Sequence, residues 1–96
     1  MEQNIHEDMA FVVKCFKVLK RLGYARSQYT FSKEFLNKNK YYYAMVLSEG
    51  RQPSIDTLHN LICNIRTLTE QNANTYAERL CEEGQKIITQ RLLKFL

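Results

Sequence analysis

Apolar residues recur at intervals of three and four along this chain, and no segment alternates with period two. That pattern predicts an all-helical fold. Ile5, Met9, Val12, Val13, Phe16 and Leu19 form a first stripe, with Glu7, Lys14, Lys17 and Arg21 off it. The helix should end near Leu22-Gly23, where a left-handed residue can cap it. Ser27 is a good N-cap for a short second helix, SQYTFSKEFL, with Phe31, Phe35 and Leu36 turned inward. The polar run from Asn37 to Lys40 predicts a tight connection to a third helix, over about Lys40 to Ser48, that stops at Gly50. Gly50-Arg51-Gln52-Pro53 reads as a loop, and Ser54 then caps a fourth helix whose stripe is Leu58, Leu61, Ile62, Ile65 and Leu68. Pro53 precedes that cap, where its missing N–H is not needed. After the polar break EQNAN, a fifth helix from about Thr75 carries Ala77, Leu80, Cys81, Gly84, Ile87, Ile88 and Leu92 on one side. Five helices with short connections predict a compact bundle.

Composition narrows this reading. Ninety-six residues suffice for one modest core. With 45% hydrophobic and 25% charged residues, the chain matches neither a disordered nor a membrane protein. No run approaches the roughly 18 apolar residues of a membrane span, and MEQNIHEDMAF lacks the order of a secretory signal. Cys15, Cys63 and Cys81 are odd in number and widely spaced, which points to reduced, cytoplasmic thiols and to neither disulfides nor a zinc site. Cys63 and Cys81 are expected to be small buried hydrophobes. His6 and His59 lie on different elements, with no carboxylate or cysteine at a spacing that suggests a triad or a metal site. The three glycines, Gly23, Gly50 and Gly84, cannot form a phosphate loop. The expectation is a non-enzyme without cofactor, metal or membrane partner, and without an evident small-molecule effector.

Charge changes the picture. The net value is +4, but nine basic residues face only two acidic ones between Met9 and Ser54, whereas residues 1–8 are acidic and residues 67–96 balance. A positive field concentrated over half of a small domain favours a polyanionic partner. Within that half, the second helix, the turn and the third helix make a helix-turn-helix unit. Such a unit offers the N-terminus of its second helix to base edges in the DNA major groove. Asn39, Lys40, Tyr41 and Tyr42 occupy that position here; Asn pairs with adenine and Lys donates to guanine.

The stretch SQYTFSKEFLNKNKYYYAMVLSEGRQPSIDTLHNLICNI resembles the lambda-repressor-like helix-turn-helix family over about residues 9–68. Gln28 takes the place of the Gln that opens helix two in that family, and Ser32 that of its small mid-helix residue. Glu49 to Ser54 matches its Gly-containing basic loop ending in Pro-Ser, and Leu58, Leu61 and Ile62 its apolar fourth helix. The resemblance implies DNA-backbone contacts from Gln28 and from Arg51 and Gln52. There are departures: Leu36-Asn37 stands where the family carries a glycine, the stretch from Gln28 to Gly50 is longer than usual, and the loop from Gly50 to Pro53 is shorter. Counting forward from Gln28 turns Tyr42 inward, whereas counting back from Pro53 turns Tyr43 inward. Helical spacing of Tyr43, Val46, Leu47 and Gly50 favours the second register. Tyr41, Tyr42 and Met45 then face outward with Lys38 and Lys40.

The reading is therefore a helix-turn-helix domain over residues 1–70, followed by a C-terminal helical segment over residues 71–96. That segment either joins two copies or completes the core, and its long apolar stripe favours a homodimer on palindromic double-stranded DNA. The expected role is a small transcriptional regulator. The alternative is a protein-interaction module on the same fold, because fold does not fix function and an exposed Tyr-Tyr-x-x-Met surface suits a protein partner.

Overall fold

The computed structural model describes residues 7–94. Helix α1 spans Glu7–Arg21. Helix α2 opens as α-helix over Gln28–Thr30 and continues with π-helical geometry over Phe31–Phe35. Helices α3, α4 and α5 span Tyr42–Glu49, Ile55–Gln71 and Thr75–Leu93. The fold is thus all-helical among the described residues, and none of its helices is long and apolar enough to cross a membrane. Ile5 and His6 lie outside the described residues.

The helix starts follow local chemistry. Ser27 Oγ accepts from Thr30 N–H at 3.2 Å, Ser54 Oγ from Thr57 N–H at 3.1 Å, and Asn74 Oδ1 from the N–H groups of Tyr76 and Ala77. Each satisfies donors that an open first turn leaves unpaired. Gly50 ends α3 in the left-handed region at φ +64°, and its N–H turns back onto the carbonyls of Val46 and Leu47. Helix α3 begins at Tyr42, two residues later than the pattern predicts, because the Asn39 side chain holds the preceding turn: its Oδ1 accepts from Tyr41 N–H at 2.9 Å.

One core runs through all five helices. Phe16 from α1, Phe31 from α2 and Tyr43 from α3 meet with ring centroids 5.1–5.2 Å apart, and Phe35 stacks on Phe31 at 6.0 Å. Tyr43 is 2% exposed, so the register that turns it inward is the one adopted. The α5 stripe completes this core within one chain. Ala77, Leu80, Cys81, Gly84 and Ile88 are buried, and a Cβ added at Gly84 would lie 2.7 Å from Ile62 Cδ1 and 2.8 Å from Phe11 Cζ. Helix α5 approaches α4 and α1 as closely as it does because Gly84 has no side chain. Leu92, expected in the stripe, is 51% exposed instead, and Leu93 is 58% exposed.

A buried polar clasp closes the bundle at one edge. Asp8, at the start of α1, is 7% exposed. It sits 3.5 Å from Arg91 Nη1 on α5 and accepts from Gln52 Nε2 at 3.3 Å. Arg91 also donates to the Pro53 carbonyl. Three segments distant in sequence thereby satisfy one another at the rim of the core, with Asp8 buried, Arg91 half-buried and Gln52 exposed.

Candidate functional site

The α2–turn–α3 unit is held from behind by polar contacts as well as by aromatic packing. Ser32, fully buried, accepts from Tyr43 N–H at 3.0 Å, which fixes the first turn of α3 against the middle of α2. Asn37 carries a positive φ of 56° in the turn, a conformation that Asn tolerates better than most residues. Asn64, on α4, donates from one amide nitrogen to the Phe35 carbonyl at 3.0 Å and to Asn37 Oδ1 at 3.1 Å. Tyr42 O–H and Thr57 Oγ1 lie 3.2 Å apart, and Thr57 Oγ1 lies 2.9 Å from Ser54 Oγ. Helix α4 therefore supports the turn at both ends.

In front of this frame lies a basic and aromatic surface. Tyr29 and Tyr41, 52% and 54% exposed, meet edge to face at 5.5 Å. Lys40 Nζ lies 5.1 Å from the Tyr41 centroid and 5.9 Å from that of Tyr29. Lys38 Nζ lies 5.6 Å over Tyr42 and 3.9 Å from Asp56. Contacts of lysine with ring faces contribute about 0.5–1 kcal/mol at exposed sites. Unlike a close ion pair, such a contact orients the ammonium without neutralising it. Lys40 is therefore oriented by ring contacts at an exposed position.

The nine residues expected to form the site do not all share that face. Gln28, Asn39, Lys40, Tyr41 and Met45 are exposed. Asn39 already uses Oδ1 within the turn, which leaves its amide N–H groups for an outside acceptor. Tyr42, expected outward, is half-buried against the core, because α3 begins later and its hydroxyl is tied to α4. Lys38 is half-buried. Arg51 pairs with Glu49 at 3.1 Å, and Gln52 turns its amide to Asp8. Tyr29 was missed, although its place directly after Gln28 on the exposed first turn of α2 was visible in sequence. The roles of Ser32 and Asn64 depend on long-range contacts that no local spacing reveals.

The thiols differ. Burial pushes Cys15 well above the ordinary thiol range, with nearby Glu83 adding to it, and burial raises Cys81 also. Cys63, expected to be buried, is half-buried, and its Sγ lies 3.4 Å from His59 Nε2 one turn away. A histidine and a cysteine that the sequence reading kept apart thus touch.

Together the bundle and its supported turn define a small all-helical domain with a basic, aromatic face. The chain belongs to DUF6626, a family of unknown function, whose family model matches residues 12–93. No curated protein and no solved structure matches the chain.

Proposed function

We propose that this domain binds double-stranded DNA with sequence preference, as a small transcriptional regulator of lambda-repressor-like helix-turn-helix form. One observation carries the reading: Gln28, Tyr29, Asn39, Lys40, Tyr41 and Met45 are exposed on a helix-turn-helix unit whose rear is locked by Ser32, Tyr43 and Asn64. Base reading needs such a rigid support, because a contact misplaced by an ångström loses most of its discrimination. Two of the three departures from the family pattern are compatible with the reading. Asn37 takes the left-handed conformation near the place where the family carries glycine. The π-helical turn of α2, closed by Leu36 N–H onto the Phe31 carbonyl, absorbs extra length between Gln28 and Gly50.

Lys40 supplies charge to the phosphates, and Asn39 and Tyr41 meet base edges. A good bidentate base contact discriminates by roughly 1–3 kcal/mol. Pairing of two copies on a palindrome belongs to the same reading, though most of the α5 stripe that suggested it lies inside the core. The exposed Tyr29, Tyr41 and Met45 favour one rival, a protein partner on this same face.

Selection from a random duplex pool at near-physiological salt separates the two. An enriched palindrome with half-sites roughly 34–36 Å apart supports DNA reading by a dimer. Lys40→Ala should then weaken binding to all sequences and lower the salt slope by about 1, whereas Asn39→Ala or Tyr41→Ala should relax sequence preference. A pool that stays unenriched, with only weak salt-sensitive binding, refutes the proposal and leaves the protein-partner reading.

A further inference from the structure

We propose that His59 and Cys63 form half of a metal site for a thiophilic divalent cation such as Zn2+, completed by the same two residues of a second copy. The two side chains stand at i and i+4 on α4, one above the other on the same helix face. Two ligands at that spacing are a recurrent way for a helix to chelate zinc. His59 is exposed and Cys63 half-buried, so a cation reaches them without unfolding the core. The decisive quantity is their separation. Zinc binds sulfur at about 2.3 Å and imidazole nitrogen at about 2.0–2.1 Å with tetrahedral angles, which places the two ligand atoms roughly 3.5 Å apart. Cys63 Sγ and His59 Nε2 are 3.4 Å apart already. Little needs to move beyond small side-chain rotations that aim both lone pairs at the ion.

Among the described residues no group of three or more His, Cys, Asp and Glu side chains is positioned for a metal, so this pair gains no third such ligand from them. A closed zinc site needs four ligands. Two-fold symmetry brings the same patch of two copies face to face, and two such pairs make a Cys2His2 shell. On binding, each Cys63 thiol releases its proton to solvent and each His59 coordinates through neutral Nε2; no redox change occurs. Cys15 and Cys81 do not compete, because both are buried. The inference does not rest on DNA reading. It provides a joining element in a chain whose α5 stripe is largely occupied by its own core.

The test uses the full chain, reduced, titrated with Co2+ as a spectroscopic stand-in for Zn2+, with sedimentation velocity in parallel. The expected result is a thiolate-to-cobalt charge-transfer band with intense tetrahedral d–d absorption, saturating at one metal per two chains. The sedimenting mass should double on metal addition and return on chelation. Cys63→Ser should abolish the band and the mass change, and His59→Gln should abolish the tetrahedral spectrum. Both variants alter side chains outside the buried core, so their thermal melts should stay close to the parent's. A missing charge-transfer band, a band that survives Cys63→Ser, or an unchanged mass at saturation would overturn the proposal. Failure here leaves duplex selection by the metal-free chain unaffected, so the two readings fail separately.

Discussion

Replacing Gly84 with alanine sets two opposed effects against each other in one helix. Alanine is favoured over glycine in a helix interior by about 0.8–1.0 kcal/mol, so at an open position Gly84→Ala would stabilise α5. The new methyl would instead lie 2.7 Å and 2.8 Å from Cδ1 and Cγ1 of Ile62 and 2.8 Å from Phe11 Cζ. Both neighbours are almost wholly buried, at 2% and 3% exposure, and have little room to retreat. Overpacking of this kind costs about 1–3 kcal/mol. The net expectation is a loss of roughly 0–2 kcal/mol after subtracting the helix preference. Each kcal/mol lowers the melting midpoint by about 4–8 °C in a domain of this size. Ile62→Val removes the Cδ1 atom and by itself should cost about 0.5–1.5 kcal/mol. Combined with Gly84→Ala it relieves one of the three clashes, so the double variant should be more stable than the sum of the singles by at least about 0.5 kcal/mol. Chemical denaturation of the four proteins supplies the cycle. A Gly84→Ala variant stabilised by about 1 kcal/mol, or strict additivity with Ile62→Val, would refute the claim that the absent side chain sets the α4–α5 approach.

Three further outcomes follow from the same contacts. Asn37→Ala should destabilise by about 1–2 kcal/mol, because alanine resists a positive φ; Asn37→Gly should recover the backbone part of that loss in denaturant melts, although both lose the contact with Asn64. Arg91→Met should cost about 2–4 kcal/mol, near the range for removing one partner of a buried pair, and more than Arg51→Met, whose pair with Glu49 is exposed. Stability should be nearly flat with respect to Cys15 below roughly pH 7.5 and then fall, with a slope that approaches about 1.4 kcal/mol per pH unit above roughly pH 8.5, where an unfolded thiol is half-ionised. The sign follows from burial: the folded thiol holds its proton while the unfolded one releases it, so rising pH draws the equilibrium toward the unfolded chain. Urea titrations of Cys15→Ala between pH 8 and 10 should show a shallower decline.

Much of the helical architecture is legible because it is written in local repeats. The stripes of α1 and α4, the caps at Ser27 and Ser54, and the stop at Gly50 each depend on residues within a few positions of one another. Periodicity also chose Tyr43 over Tyr42 as the inward ring. It could not see that Asn39 would delay the start of α3 or that Thr57 would draw Tyr42 half inside, since the second effect crosses fifteen residues. Periodicity is equally silent on what an apolar stripe packs against. The α5 stripe looks the same whether it faces a second copy or α4 and α1, and only the packed chain distinguishes them. The departure at Gln52 has the same origin, because Asp8 lies 44 residues away. The pairing of His59 with Cys63 was within reach, being a plain i, i+4 spacing, but a reading limited to triads and complete metal sets passes over a half-set.

The clasp at Asp8 also has a consequence for how the chain is made. Its carboxylate belongs to the first helix, whereas the guanidinium that meets it belongs to the fifth. Translation runs at about 5–20 residues per second, so the roughly eighty residues between them impose a wait of roughly 4–16 s. During that interval Asp8 lacks its ion pair with Arg91, and the loop at Pro53 lacks its Arg91 donor. Helices α2 and α3 are already synthesised by then, yet Arg91 is not there to tie this edge. Until the fifth helix arrives, the first helix and the loop at Pro53 therefore lack the Arg91 side chain, which reaches both of them.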